Sequence, residues 1–363
     1  MLRAIAITFV MILHSAPHFL DHFGDLGTAF DAHTALWSGV DLFFCVSGYV
    51  IARSMRQVRT GTIAHFTSRF WIRRIFRLWP SAWFWAIAGL MLSVIWNRSG
   101  IFGAPAYAAG DVIAAFVNLE NFHYWHCTRD QTCGDLPVYW SLSLEEQFYW
   151  LFPLMMCFLS RRTLIAVLVI CALIQIPIPR ASNFTSLLWL VRSDAICIGV
   201  LLALLEPKDL VAPEWLGKPS RAPAVTIALV SLLAVVGASA LNLPPATGLV
   251  ALVSGALVWL ARFDRGFIVP RSNLDPVLLW IGSRSYSLYL VHEIAGRSSA
   301  EFRYRLLSAG LIDSHQAIAL NVVLIIALTL ALAELSFRCV ERPFRSAGRR
   351  LTEPWFDLRL PVT

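Results

Sequence analysis

The chain has 363 residues, 57% of them hydrophobic and only 15% charged, with a mean hydropathy of +0.64. Soluble domains sit near about 45–50% apolar and about 25% charged, so this composition excludes an ordinary soluble enzyme and places the chain among multi-pass membrane proteins. The net charge of +7 is not accompanied by any nucleic-acid-binding motif, so no nucleic-acid partner is expected.

A bilayer core takes about 20 apolar residues per helix. Segments of that kind fall at 2–20, 36–56, 78–97, 144–160, 163–179, 184–205, 224–241, 245–262, 278–295 and 316–339. The expected fold is therefore all-α, a multi-pass membrane helical bundle of about ten transmembrane helices. The long connections are 57–77 and 98–143, and the sequence shows no internal repeat, no low-complexity tract and no second soluble domain. With the N-terminus inside, Lys and Arg crowd the cytosolic loops, so the orientation reads N-in/C-in and most of the net charge is a topology signal.

Taken in chain order, the first segment has Arg3, an apolar run Ala4–Leu13 and small residues at Ser15 and Ala16, a pattern a signal peptide shares. Pro17 disfavours cleavage there, and no soluble domain follows, so the segment reads as a retained helix. It is short at its cytosolic end, which raises the expectation that residues precede it. Arg3 and His14 lie eleven residues apart, about 16 Å along a helix axis. Asp41 opens the second segment. The stretch RFWIRRIFRLWP (69–80) then holds Arg69, Arg73, Arg74 and Arg77. Arg73 and Arg77 at i,i+4, and Arg74 and Arg77 at i,i+3, share helix faces. These arginines suit topology charge and lipid headgroups, and equally a phosphate cradle, because guanidinium binds phosphate bidentately.

Cys127 and Cys133 share the outer loop 98–143 and could pair in an oxidising compartment or remain two thiols. The other five cysteines read as packing residues, and no metal pattern is present. Next comes YWSLSLEEQFYW (139–150), with Glu145 and Glu146 at the outer mouth of an apolar segment. Ionisable groups at such places default to function. The bland alternative is a capping box, Ser143 with Glu146 and likewise Ser38 with Asp41. In that frame Glu145 has no capping duty. Arg192 and Asp194, two residues apart in mid-membrane, face away from each other, so each needs a partner elsewhere. In 280–292, Ser285, Tyr289 and His292 form a polar stripe at i, i+4 and i+7. His292 lies fourteen residues past Leu278, about 21 Å in from the cytosolic side. His14, Asp41, Glu145, Glu146 and His292 thus reach similar depth on separate segments.

The stretches LRAIAITFVMILH (2–14), GVDLFFCVSGYVI (39–51), RRIFRLWP (73–80), YWSLSLEEQFYWLFP (139–153), IGSRSYSLYLVH (281–292) and VERPFR (340–345) resemble, in order, the acyltransferase-3 family of integral membrane O-acyltransferases. The resemblance covers nearly the whole chain. It implies a transmembrane domain over 1–345 with a cytosolic tail at 346–363, in a bacterial cytoplasmic (inner) membrane. It also implies acyl transfer, acetyl being the commonest case, from cytosolic acyl-CoA to a hydroxyl of a carbohydrate or glycolipid acceptor, with membrane lipids around it, separate glycan-assembly proteins as partners and no metal. The family's Arg-His pair falls on Arg3 and His14, its Arg-x-x-Arg on Arg74 and Arg77, and its acidic pair on Glu145 and Glu146. The residues that usually precede Leu2-Arg3, and the esterase-like outer domain fused to some members, are absent from this sequence.

These expectations combine into one mechanism. Arg74 and Arg77, with Arg73, hold the donor's phosphates. His14 takes the proton of the acceptor hydroxyl, which suits an imidazole, and Glu145 or Glu146 orients it as a triad acid would. Arg3 belongs to the catalytic set through the family motif. Arg192, Tyr289 and His292 are candidate donors to the developing oxyanion, and Asp41 and Asp194 candidate substrate contacts. Direct transfer and a transient acyl-histidine both remain open. From another class, a proton-coupled transporter of a polar or anionic solute also suits ten helices with buried Arg, Asp and His; it should not consume acyl-CoA. A non-catalytic scaffold leaves the ordered motifs unexplained.

Overall fold

The computed structural model describes residues 1–16, 25–56, 63–134, 136–180, 186–207, 210–216, 221–263 and 274–352. Among them the regular structure is helical, with no strand. The helices are α1 (Leu2–Ser15), α2 (Leu26–His33), α3 (Ser38–Arg56), α4 (Ile63–Ile95), α5 (Pro105–Phe116), α6 (Glu120–Asp130), α7 (Tyr139–Phe158), α8 (Arg161–Gln175), α9 (Asp194–Leu204), α10 (Arg221–Val235), α11 (Ala246–Ala261), α12 (Asp275–Ser283), α13 (Ser285–Ser308), α14 (Ser314–Ser336) and α15 (Arg342–Thr352). By length and apolarity, four stretches among the described residues can cross a bilayer: Leu26–Met55, Phe66–Ile95, Leu187–Leu204 and His315–Thr352.

Several elements depart from the sequence expectation. The loop 57–77 becomes helix from Ile63 onward, and α4 runs 33 residues through Pro80. A hydropathy window stops at a row of arginines, but arginine is a good helix former and the helix does not stop. The segment 184–205 breaks: a short turn Leu187–Leu190 precedes Arg192, and Asp194 opens α9 as the acid of its first turn, where the helix dipole favours it. The segment 278–295 splits at Arg284 into α12 and α13. The connection 98–143 folds into α5 and α6, and Cys127 and Cys133 form a disulfide with their Cα atoms 4.8 Å apart.

Both capping boxes are corrected. α7 begins at Tyr139, so Ser143 sits inside the helix, and its Oγ accepts from the backbone N–H of Glu120 at 3.1 Å. Ser38 Oγ donates instead to the carbonyl of Leu233 at 2.9 Å. A cap requires the serine to stand outside the helix, and the apolar run before Ser143 already belongs to it.

The chain forms two compact units, Met1–Val58 with Leu159–Ser285, and Arg59–Phe158 with Tyr286–Thr363. In the first, α3 packs closely on α9. A Cβ added at Gly48 would run into the carbonyl oxygen of Ile196, and one at Gly199 into that of Cys45. Small residues at both faces let the two backbones touch, the usual device of membrane helices. α1 lies along α3 with Ala4, Ala6, Ile7 and Val10 fully buried, and α11 covers α3 and α9. In the second unit, α4 is the long axis. Tyr286 Oη donates to the carbonyl of Leu78 at 2.7 Å and Tyr139 Oη to that of Ala82 at 2.7 Å. Trp85 Nε1 donates to Ser336 Oγ at 2.9 Å. Phe337–Glu341, a π-helical segment, leads into α15, which packs back onto α4.

Candidate functional site

In the second unit, α7 carries Glu145 and Glu146 into different surroundings. Adjacent helical positions point about 100° apart, so one motif supplies two distinct acids. Glu145 is half-buried and accepts a hydrogen bond from Tyr149 Oη one turn later. Glu146 is buried; its Oε2 accepts from Trp79 Nε1 at 3.2 Å, and its Oε1 is buried with no hydrogen-bond partner among the described residues. A buried carboxyl oxygen left unmatched is costly, and natural proteins keep few of them.

Both acids line a narrow cavity of about 20 Å³ with Trp79, Trp83, Ser143 and Tyr286, room for about one water. Its wall is aromatic: Trp79 lies 5.1 Å from Trp83, and Trp83 stacks on Phe116 at 4.7 Å. Charges beside such aromatic walls interact more strongly than they would in open water.

The polar stripe of α13 lies in the same unit. Tyr289 Oη and Ser141 Oγ share a hydrogen bond at 2.7 Å. His292 Nδ1 lies 2.8 Å from the carbonyl of Tyr289. A carbonyl can only accept, so Nδ1 carries the proton and Nε2 the lone pair.

His14, in the first unit, has the same internal geometry. It is half-buried on α1, and its Nδ1 donates to the carbonyl of Val10 at 3.0 Å. The lone pair again falls on Nε2. The backbone therefore fills at Nδ1 the orienting place a triad carboxylate would take. Arg3, half-buried, sits at the opposite end of α1.

Asp41, Arg192 and Asp194 are drawn into buried ion pairs. Arg192 Nε and Nη2 donate to the two oxygens of Asp41, each at 2.9 Å, and both side chains are fully buried. Arg192 also donates to the carbonyl of Trp189 at 3.1 Å and stacks on the Trp189 ring at 3.7 Å. Asp194 is held by Arg180 at 2.5 and 3.3 Å. Arg192 and Asp194 each find a separate partner, as the i,i+2 spacing requires. The partners themselves were not visible, because Arg180 and Asp41 lie in other segments.

The three arginines assigned to donor phosphates fare differently. Arg73 Nε donates to Thr352 Oγ1 at 2.7 Å. Arg74 stacks on the rings of Phe70 and Tyr149 at 5.4 and 5.0 Å. Arg77 keeps a buried Nε with no hydrogen-bond partner among the described residues.

Sequence reasoning missed Glu120. It is fully buried, and neither carboxyl oxygen has a hydrogen-bond partner among the described residues. Burial, with the nearby Asp111 charge, pushes its carboxyl well above the usual range. Its link to the motif is the Glu120 N–H to Ser143 Oγ bond. An acid in a loop rich in polar residues carries no sequence signal of burial. Asp111, His123 and Cys127 also cluster in this loop. Cys127 is in the disulfide, so it offers no thiolate, and Asp111 already accepts from the Gly134 and Leu136 amides at 3.0 and 3.1 Å.

The model of a family described as an acyltransferase domain matches residues 1–335. Among curated proteins, the peptidoglycan O-acetyltransferase OatA of Listeria monocytogenes (serovar 1/2a, strain EGD-e) is 26% identical over 85% of this chain and 51% of its own length. A Bacillus subtilis (strain 168) protein named "Putative peptidoglycan O-acetyltransferase YrhL" is 26% identical over 86% of this chain and 51% of its own. A Staphylococcus aureus (strain COL) protein named a "Putative O-acetyltransferase" is 28% identical over 96% of this chain and 57% of its own. The chain thus spans about half the length of the curated relatives it matches. No solved structure matches it.

Proposed function

The chain belongs to the acyltransferase-3 family, and from that premise we propose that it is a multi-pass membrane O-acetyltransferase using cytosolic acetyl-CoA and a carbohydrate acceptor of the cell envelope. Ten crossings with both termini in the cytosol complete the proposal, by the charge asymmetry of the loops. The observation that carries it is the acidic motif itself: Glu145 and Glu146 line a small aromatic-walled cavity, and Glu146 keeps one buried oxygen unmatched.

The proposed reaction is attack of an acceptor hydroxyl on the thioester carbonyl. His14 Nε2 takes the hydroxyl proton as the C–O bond forms; the C–S bond breaks, and the proton passes to the departing thiolate. The Val10 carbonyl holds the ring for this task through Nδ1. Glu145 and Glu146 stabilise the positive charge that develops on the imidazole, a role assigned by the family motif. Tyr289 and His292 are the proposed donors to the oxyanion. The proposed reaction assigns no step to Arg192, Asp41 and Asp194, whose charged groups are bound to one another or to Arg180. The relatives named for peptidoglycan O-acetylation point to a cell-wall or related glycan as acceptor.

The test is mass spectrometry of envelope glycans from cells lacking the gene and complemented with wild type or His14→Ala. The wild type should restore an acetyl mass on a glycan, and His14→Ala should insert in the membrane but restore none. Near-normal acetylation by His14→Ala would end the mechanism. No lost acetyl mass on deletion would end the acceptor class.

A further inference from the structure

On the proposed function rests a second question: which groups hold the anionic end of the donor? Of the three arginines the motif offers, Arg73 is bound to Thr352 and Arg74 is stacked between two rings. Arg77 alone keeps a buried Nε with no hydrogen-bond partner, and it pairs with no carboxylate among the described residues.

What lies beside Arg77 is α15, RPFRSAGRRLT. Thr352 meets Arg73, and the Cα of Gly348 lies so near Phe76 that a Cβ there would strike the Phe76 side chain. The two helices therefore run antiparallel at this contact. Arg345 lies one turn back along α15 from Gly348, and Arg77 directly follows Phe76 on α4, so the two arginines lie within about one turn of each other along the packed pair. Arg349, at i+4 from Arg345, shares its face. Arg345 lies within electrostatic reach of both Arg77 and Arg349. Glu341, the acid that also acts on Arg345, is buried and accepts from Ser287 Oγ at 2.9 Å. Neither Arg345 nor Arg349 makes an ion pair among the described residues. Three guanidinium groups gathered from two helices, none of them in a contact ion pair among the described residues, repel one another more than the single Glu341 charge offsets unless an anion lies between. Their planar forks match phosphate.

We propose that Arg77, Arg345 and Arg349 form the phosphate-binding cleft for the nucleotide end of acetyl-CoA, with α15 supplying two of its three cations. The ligand chemistry is phosphate on a phosphorylated nucleotide. An anionic lipid headgroup offers the same chemistry, and the experiment separates the two.

Purified protein in nanodiscs of neutral phosphatidylcholine is titrated with CoA, and the double variant Arg345→Gln/Arg349→Gln is compared with wild type. The proposal expects CoA affinity to fall at least tenfold, and the salt dependence of binding to flatten as phosphate contacts are lost. S-acetylpantetheine, which lacks the nucleotide and its phosphates, should serve wild type and variant equally as a donor. A double variant that binds CoA as tightly as wild type overturns the proposal. So does a variant whose only change is weaker retention of phosphatidylglycerol in mixed nanodiscs, the mark of a headgroup site. Should the double variant fail to fold, the exposed single variant Arg349→Glu decides by the same titration: wild-type affinity refutes, a loss of tenfold or more supports. If wild-type protein binds no CoA, the proposed donor itself is wrong, and the cleft falls with it. If it binds CoA and the variants do not differ, only the cleft is wrong.

Discussion

The buried pair Asp41–Arg192 separates a structural account from a substrate-binding one. Replacing Asp41 by Asn leaves Arg192 with the Trp189 carbonyl and ring but without either 2.9 Å carboxylate contact. A fully buried guanidinium stripped of its counter-ion costs about 3–5 kcal/mol. At about 2–4 °C per kcal/mol for a unit of this size, the melting temperature should fall by roughly 6–20 °C. Arg192→Met strands Asp41 and should cost a similar amount. The double variant removes both charges together, and such replacements are often close to neutral, so the coupling should exceed about 2 kcal/mol. The assay is tryptophan-fluorescence melting of the four proteins in one detergent, with acetyl transfer measured on each. Additive single effects, with coupling below about 0.5 kcal/mol, would refute the ion pair as a strut. A double variant that regains stability yet transfers nothing would return these residues to the substrate site.

Other consequences are checked more briefly. Glu146→Gln keeps the shape of the side chain but no ionisable group, and should lower acetyl transfer by about 10²–10⁴ with little change in melting; an active variant removes Glu146 from the chemistry. Glu301 is buried and accepts from the Arg98 and Ser99 amides, Ser99 Oγ and Arg305 Nε. Burial alone would raise its pKa, but these bonds outweigh it and hold the carboxyl down to about 2 from 4.5. Its contribution, on the order of 3 kcal/mol, is complete above the unfolded pKa and is lost as pH falls through the folded one. Glu301→Gln should therefore melt lower than wild type at pH 7, and the gap should close between pH 4.5 and 2; an undiminished gap at the acid end would contradict this. The disulfide Cys127–Cys133 closes a loop with a sequence separation of 6, worth about 2 kcal/mol on chain entropy. Cys127→Ser/Cys133→Ser should melt correspondingly lower, and reduced wild type should match it. Gly199→Val places a branched side chain against the Cys45 carbonyl and should cost at least about 1–3 kcal/mol, the usual range for overpacked sites; wild-type melting would mean the α3–α9 contact is loose.

Much of this protein was readable before any coordinate. Runs of apolar residues announce helices because hydrocarbon demands internally bonded backbone, and α3, α8, α11 and α14 fall close to their expected limits. The reading failed where hydropathy and helicity part company. Arg69 to Arg77 look like a loop to a hydropathy scale, yet continue α4. Arg192 lies inside an apolar run, yet the backbone breaks around it. Ser143 and Glu146 have cap spacing, yet stand inside α7, because cap spacing does not say where a helix starts. Glu120 left no trace, since burial of a loop acid depends on what α7 places beside it.

The sequence by itself determined an all-helical membrane chain and the ordered motifs of its family, because both are local: a segment's apolarity and a short spacing of side chains need no knowledge of distant residues. Tertiary structure alone decided what each charge is for. Arg192 and Asp41 are 151 residues apart, and Arg73 and Thr352 are 279 apart. Charges in low dielectric are governed by their nearest partner, and only the packing of helices sets which partner that is.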